Sequence, residues 1–358
     1  MNLSKVRIAK RQTESKKQPM LLRLLAFATA IAAGGLFILA IGENPFKVYA
    51  KIITGSLGSP QNIRATAIQF VPLLITSLSL TLAFKMKFWN IGANGQILVG
   101  GVFASFFAIY CYGIPHVPLI IIMFAAGALG GGLYALIPAI FKVKFGANEV
   151  LLTLMMNYIA FYFISYLQTG PWTSGGHNSI AQFNANTRLN ALGGVHVGWV
   201  FAVLLVFIIY FYLNGTKQGY EISVVGESRA TAEYAGISVS RVVLRTMFLS
   251  GALCGAAGMI QVTGVGFTLS PNTAGDVGFT AITVAWLGQL NPFAISLITA
   301  LFSILRRGST SLQAAMKLSP YIADVLQSIV LFTFLTFEFF IRYSVVFNKQ
   351  SRKPRTIS

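Results

Sequence analysis

Long apolar runs set the terms for what this chain can become. Residues Leu21 to Ile41, Ala65 to Phe84, Ile97 to Tyr112, Val117 to Phe141 and Val150 to Leu167 are nearly uncharged. So are Val197 to Leu213, Met247 to Gly264 and Ile322 to Ile341. Several reach the roughly 20 residues that a helix needs to cross a hydrocarbon core. Only 10% of the 358 residues are charged, and mean hydropathy is +0.70. A water-soluble domain carries about 25% charge. The sequence therefore predicts an all-α, polytopic helical membrane protein. The stretch from Gly278 to Arg306 is apolar but interrupted by Gly288-Gln289-Leu290-Asn291-Pro292, a strong turn signal. It reads as two short helices, Gly278 to Leu287 and Pro292 to Leu305. About ten membrane segments result, with eight or nine as alternatives.

The cationic residues give an orientation. Of 27 Lys and Arg residues, seven precede the first span (Lys5, Arg7, Lys10, Arg11, Lys16, Lys17, Arg23) and five follow the last (Arg342, Lys349, Arg352, Lys353, Arg355). The positive-inside rule then puts both termini in the cytoplasm. Residues 1–20 and 342–358 read as basic cytoplasmic tails around a membrane domain, 21–341. Lys47 and Lys51 are assigned to a surface helix. Arg306, Arg307 and Lys317 fall outside, against the rule. The net charge of +18 does not point to nucleic acid. The cations sit in tails and at span ends, where anionic lipid headgroups attract them, and no nucleic-acid-binding module is present. The first apolar run is a full span without a clear cleavage site, so it does not read as a signal peptide. Cys111 and Cys254 fall in or beside apolar segments and imply no disulfide framework.

One polar island, Asn214 to Arg245, breaks the apolar pattern. It holds Glu221, Glu227 and Glu233, three of the nine acids, with Lys217, Arg229, Arg241 and Arg245. Ser228 is placed to cap a short helix by accepting a first-turn N–H. Gly236 is placed to end it in the left-handed conformation. Ala232, Ala235 and Gly236 are expected on one small-residue face, with Arg229 and Glu233 spaced i, i+4 on another. Such a helix offers a partner a shallow knob; the alternative is an ordinary solvated loop.

Enzyme chemistry finds little support. No G-x-x-x-x-G-K-[ST] phosphate loop occurs. His116, His177 and His196 lack ligand spacing, and no serine or threonine has a paired base for a triad. No cofactor is expected on this chain. Polar residues at span edges are more informative. Asn90, Asn94 and Gln96 cluster with small residues before the third span, and Asn148-Glu149 precedes the fifth, with Asn157 two turns further in. Amides there can line a hydrated path or bond across helices, and Glu149 suits a helix N-terminus. Asp324 and Glu338 lie in the last span, where carboxylates are functional candidates, although Glu338 is spaced to pair with Arg342. Gly127-x-x-x-Gly131 and Gly251-x-x-x-Gly255 read as helix-packing patterns.

Four ordered blocks carry a resemblance. Phe88 to Gln96 (F-W-N-I-G-A-N-G-Q) resembles a phenylalanine followed by N-I-G-A-E-G-Q. Asn148-Glu149-Val150 with Thr153 to Ala160 resembles N-E-V…T-I-M-L-N-Y-I-A. Val225 to Ile237 resembles G-E-N-P-x-A-A-x-Y-A-G-I, and Gly278 to Pro292 resembles G-F-x-x-I-x-V-A-x-L-G-x-x-x-P. These are signatures of the permease subunits of bacterial ABC importers for nucleosides and simple sugars, a group related to ribose and branched-chain amino-acid permeases. The resemblance covers about residues 88 to 340. Asn94 stands where the group has an acid, and Ser228-Arg229 where it has Asn-Pro.

The resemblance implies a multi-pass subunit of the bacterial cell membrane, forming half of a translocation pathway. It implies a separate ATPase subunit docking on residues 214–245 through Gly226, Glu227, Arg229, Ala232, Ala235, Gly236 and Ile237. It further implies a second permease chain or copy and an extracellular substrate-binding lipoprotein. Asn90, Asn94, Gln96, Asn148, Glu149 and Asn157 are the expected polar lining, and nucleosides the expected cargo. A simple-sugar importer of the same group is the nearest rival. A secondary transporter using Asp324 or Glu338 as a proton relay is the rival of a different class.

Overall fold

Helices dominate the structure, a computed structural model that describes residues 6–10, 17–174, 177–319 and 321–347. Of the cationic tail residues named above, Lys5, Arg11, Lys16, Lys349, Arg352, Lys353 and Arg355 lie outside the described residues, as does the side chain of Glu338 with its expected pairing to Arg342. In chain order come strand β1 (Val6–Lys10) and helices α1 (Lys17–Ala40), α2 (Pro45–Leu57), α3 (Pro60–Lys85), α4 (Ala93–Tyr110), α5 (His116–Phe145) and α6 (Glu149–Thr169). A region of short strands follows: β2 (Thr173–Ser174), β3 (His177–Ile180), β4 (Ala191–Leu192) and β5 (Val195–His196). Then come α7 (Gly198–Gly215), α8 (Lys217–Glu227), α9 (Arg229–Tyr234), α10 (Val239–Gln261), α11 (Val277–Leu287), α12 (Pro292–Met316), α13 (Ile322–Arg342) and β6 (Tyr343–Phe347).

Among the described residues six helices are long and apolar enough to cross a membrane: α3, α4, α5, α6, α7, and α10 with its π-helical extension to Gly266. A seventh span results if α1 and α2 count as one, although the chain bends by 111° between them. The apolar segments read from sequence all emerge as helices. The interrupted one divides where expected, at Gly288–Asn291, but its second half runs on to Met316 rather than stopping at Leu305. The strands are the departure from an all-α reading. The loop after α6 folds into two small antiparallel ribbons, β2–β3 and β4–β5, and the segments flanking the outer helices pair as β1–β6.

The chain divides into two units. The smaller comprises residues 1–52 and 308–358. In it α1 packs along α13, and β1 aligns with β6 from Val6 opposite Phe347 to Lys10 opposite Tyr343. The Tyr49 hydroxyl donates to the Ile31 carbonyl at 2.8 Å, folding α2 back onto α1. Asp324, a candidate intramembrane carboxylate by sequence, is exposed in the first turn of α13.

The larger unit, residues 53–307, is organised around α10, which packs on α3, α4 and α5. Both small-x-x-x-small patterns meet there. A side chain on Gly131 would overlap the Gly251 carbonyl and the Gly255 backbone, and one on Gly255 would strike the Gly127 carbonyl. Lipid gives helices no hydrophobic drive to associate, so close backbone approach and polar bonds hold such crossings. On the α3 side the Ser79 hydroxyl donates to the Ser250 carbonyl at 2.6 Å, deep in the interior. Gly255→Leu is expected to destabilise by at least the ~1–3 kcal/mol typical of overpacking. The check is recovery of monodisperse protein after heating in detergent.

The β4–β5 ribbon seats His196 against Gly198 and Gly264, 4% exposed, with no hydrogen-bond partner for either ring nitrogen among the described residues. Burial lowers its pKa below the ordinary 6.5. The folded state therefore binds fewer protons than the unfolded chain over this window, and stability rises with pH there. The penalty is absent well above pH 6.5 and grows as pH falls from that value toward the folded-state pKa. Thermal midpoints in detergent are expected to drop between neutral and mildly acidic pH, and His196→Phe is expected to flatten that dependence.

Candidate functional site

The first cluster forms where α3 ends and α4 begins. After Lys85 the chain turns through Lys87, in the left-handed region at φ 57°, and delivers Asn90 to a fully buried position. Asn90 and Gln96 form a reciprocal amide pair: Asn90 Nδ2 donates to Gln96 Oε1 at 3.1 Å, and Gln96 Nε2 donates to Asn90 Oδ1 at 3.0 Å. From α6, Asn157 reaches the same turn. Its Oδ1 accepts the Gly95 N–H at 2.8 Å and its Nδ2 donates to the Ile91 carbonyl at 2.9 Å. Thr153, one turn earlier, accepts the Ile91 N–H at 3.1 Å. The first N–H groups of a helix have no intrahelical partner, and here a neighbouring helix supplies one. Asn94 does the same for α11, its Oδ1 accepting the Gly278 N–H at 2.7 Å. An acid in that position would accept the same bond, so the replacement removes a charge and keeps the joint.

Four of the six residues expected along the pathway, Asn90, Asn94, Gln96 and Asn157, thus come together, each bonded within the chain. Asn148 and Glu149 do not join them. They sit two turns away at the start of α6, where Asn148 Oδ1 accepts the Val150 N–H at 3.0 Å. Glu149 pairs with Lys142 at 2.7 Å across the corner at Gly146. Sequence reasoning missed the roles of Thr153 and of Trp286, which stacks on Trp89 at 5.2 Å with Phe84 beside both. Trp89 lies in the Phe88–Gln96 block, Thr153 in the block that begins at Asn148 and Trp286 in the Gly278–Pro292 block, but nothing in one points to another.

The second cluster is the polar island. Thr216 caps α8, which the sequence reading did not separate from the rest, by accepting the Gly219 N–H at 3.1 Å. Glu221 pairs with Arg245 of α10 at 3.0 Å, bracing α8. At the end of α8, Gly226 is buried with its α-carbon against the Lys85 carbonyl, where any side chain would collide. Ser228 then caps α9 as expected, accepting the Thr231 N–H at 3.2 Å. Gly236 closes the helix at φ 75°, its N–H donating to the Glu233 carbonyl at 3.0 Å, and the Ile237 N–H donates to the Ala232 carbonyl at 2.9 Å. Left-handed geometry at this position is the usual glycine helix stop.

The expected small-residue face is divided. Ala232 is fully buried, while Ala235 and Gly236, at and beyond the helix end, are exposed. Arg229 and Glu233 are both exposed and form no ion pair with each other among the described residues. Glu227 is exposed and Ile237 half-buried. The island therefore seats itself through Gly226 and Ala232 and presents Arg229, Ala235 and Gly236 outward. Tyr234, which sequence reasoning passed over, stands furthest out at 96% exposed.

Asn157→Leu leaves the Gly95 N–H and the Ile91 carbonyl without their partner. Each buried unsatisfied group costs about 1–3 kcal/mol, so a clearly lowered thermal midpoint in detergent is expected, with the chain still inserted.

Comparison with known proteins extends the picture. A profile of the family described as "Branched-chain amino acid transport system / permease component" matches residues 62–335. The chain is 30% identical over 337 residues to the glucose ABC transporter permease protein TsgB13 of Haloferax volcanii, covering 90% of this chain and 88% of the relative. It is 29% identical over 343 residues to the nucleoside ABC transporter permease protein NupB of Lactococcus lactis, covering 91% and 93%. It is 29% identical over 322 residues to the guanosine ABC transporter permease protein NupP of Bacillus subtilis, covering 87% and 92%. No solved structure matches. With its multiple apolar helices, its interior amide joints and a family profile spanning both clusters, this chain belongs to the permease-component family of ABC transporters, among members of nucleoside and sugar type.

Proposed function

We propose that this chain forms half of the translocation pathway of an ATP-driven importer of nucleosides in a bacterial cell membrane. In this reading a separate ATPase subunit docks on α9. The observation that carries it is the exposed knob of Arg229, Tyr234, Ala235 and Gly236, held on a buried seat, in a chain of a permease family. A rigid knob of this kind can turn movement of a docked partner into rearrangement of packed helices. Glu227 and Ile237 flank it, while Gly226 and Ala232 act by seating it. The amides Asn90, Asn94, Gln96 and Asn157 hold the helix ends beside the pathway, with Asn148 and Glu149 fixing the start of α6. A second permease chain or copy completes the pathway, and an extracellular binding lipoprotein delivers substrate.

Ten membrane segments with both termini cytoplasmic remain our topology. Pairing of β1 with β6 supports termini on one side, and the ten segments of this reading are the six long apolar helices, the bent α1–α2 pair, and α11, α12 and α13. Nucleosides are favoured because two of the relatives are named for nucleoside or guanosine transport, and glucose, the third relative's cargo, keeps simple sugars as the rival. Of the two carboxylates the proton-coupled alternative would use, Asp324 is exposed in the first turn of α13 and the side chain of Glu338 lies outside the described residues.

Copurification from native membranes tests the partners; a stoichiometric ATPase is expected, and recovery of the chain alone would count against this reading. Gly236→Pro tests the knob. Proline is locked near φ −65° and cannot adopt the conformation at φ 75°. Uptake of labelled guanosine is expected to be abolished with the chain still inserted, and normal uptake would remove α9 from the mechanism.

A further inference from the structure

Three breaks in regular helix converge on one cavity of about 220 Å³ in the larger unit. Pro72 lies inside α3 and removes one bond from its ladder. Lacking an N–H, it leaves the Ile68 carbonyl without its helical donor, and both residues are on the wall. The end of α10 widens into a π-helical turn, Val262–Gly266, and Gln261 and Val265 flank the same space. Such turns inside α-helices are frequent at functional sites. The irregular segment 267–276 closes a third side with Asn272 and Gly275, and Ser303 and Arg306 of α12 close the fourth. Irregular backbone at membrane depth is tolerated where protein or a watery cavity satisfies it.

The wall chemistry is selective. Gln69 places its Oε1 in a buried position with no hydrogen-bond partner among the described residues. Gln261 adds a second amide, and Arg306 supplies the cationic donors. Ile68, Leu73, Val265 and Val277 are aliphatic, and the lining contains no carboxylate and no aromatic ring. The volume lies just under the ~300–1,000 Å³ usual for drug-sized ligands, which suits a solute of one or two rings. A Gln amide offers an adjacent donor and acceptor, the pattern that matches a base edge, and a guanidinium matches the carbonyl and ring nitrogen of a guanine-type edge. The residues Asn90, Asn94, Gln96 and Asn157 are not part of this wall.

We propose that this cavity is a substrate subsite that receives a carbonyl-bearing nucleobase, with Gln69, Gln261 and Arg306 reading its edge and the aliphatic side chains holding its faces. The proposal rests on the nucleoside-transport reading. It assigns specificity to the permease itself, at a place none of the four sequence blocks marks except through Val277 at the border of the last.

The test uses the full chain, expressed with its partner subunits in native membranes. Thr273→Cys is introduced with Cys111→Ala and Cys254→Ala, and the rate of labelling by a polar maleimide is followed. Guanosine is expected to slow labelling by about tenfold, and Gln69→Leu is expected to weaken that protection by a similar factor, the scale of one good hydrogen bond. Adenosine and ribose are expected to protect far less. If the cells import guanosine but guanosine leaves labelling unchanged, the subsite is overturned and the transport reading stands. If the cells import a simple sugar and no nucleoside, and that sugar protects, both nucleobase recognition and the nucleoside reading fall. Equal protection by ribose and guanosine would also overturn recognition of the base.

Discussion

Backbone polar groups at the ends of interrupted helices need partners wherever water is excluded, and in this protein they receive them from side chains of other helices. Every unpaired N–H or C=O in hydrocarbon costs several kcal/mol, so a short or late-starting helix survives only with a dedicated partner. Asn157 gives the start of α4 both a donor and an acceptor, and Asn94 gives α11 its acceptor. Once those bonds are made, α4, α6 and α11 share one anchored corner, and the turn that carries Asn90 and Gln96 has a single arrangement. Close packing then does the rest. The glycine crossings of α5 on α10 and the Ser79–Ser250 bond on the α3 side hold α10 against its neighbours.

Two kinds of polar residue therefore divide the work inside the larger unit. The amides of the corner are each bonded to partners in the chain, which makes them joints. Gln69, on the wall of the cavity near Pro72 and the π-helical turn, keeps a buried Oε1 without a partner among the described residues. Sequence alone cannot separate these roles, because asparagine and glutamine carry the same groups in both. Only the positions of backbone N–H and C=O groups distinguish a spent amide from an available one.

Much of the fold was legible in the sequence because lipid imposes a coarse pattern. The apolar runs marked the helices, and Gly288 to Pro292 marked the break between α11 and α12. Ser228 and Gly236 marked α9 because caps and stops rest on local chemistry. The tertiary joints were not legible. Asn94 bonds to a backbone group 184 residues away and Asn157 to groups 62 and 66 residues away, and such partners leave no local trace. The β1–β6 pairing was hidden by tails whose basic composition dominates their reading, and the π-helical turn has no residue signature. Tyr234 was passed over because a lone exposed aromatic has no periodicity to reveal it. Gly226, expected among the docking residues, is a buried seat, which the sequence hid because its contact is with Lys85, far off in the chain.

That contact sets a limit on slack. From the Lys85 carbonyl, on which Gly226 rests, to Asn90 the chain runs only five residues, and even fully extended it would span no more than about 18 Å. It is far from extended, since Lys87 turns it back and the Phe88 N–H bonds to the Ala83 carbonyl at 3.0 Å. The bend is held by that hydrogen bond, so while it persists a tether this short has little length to release. A tilt of the end of α8 would then reach the amide corner with little play, as through a stiff linkage rather than a spring.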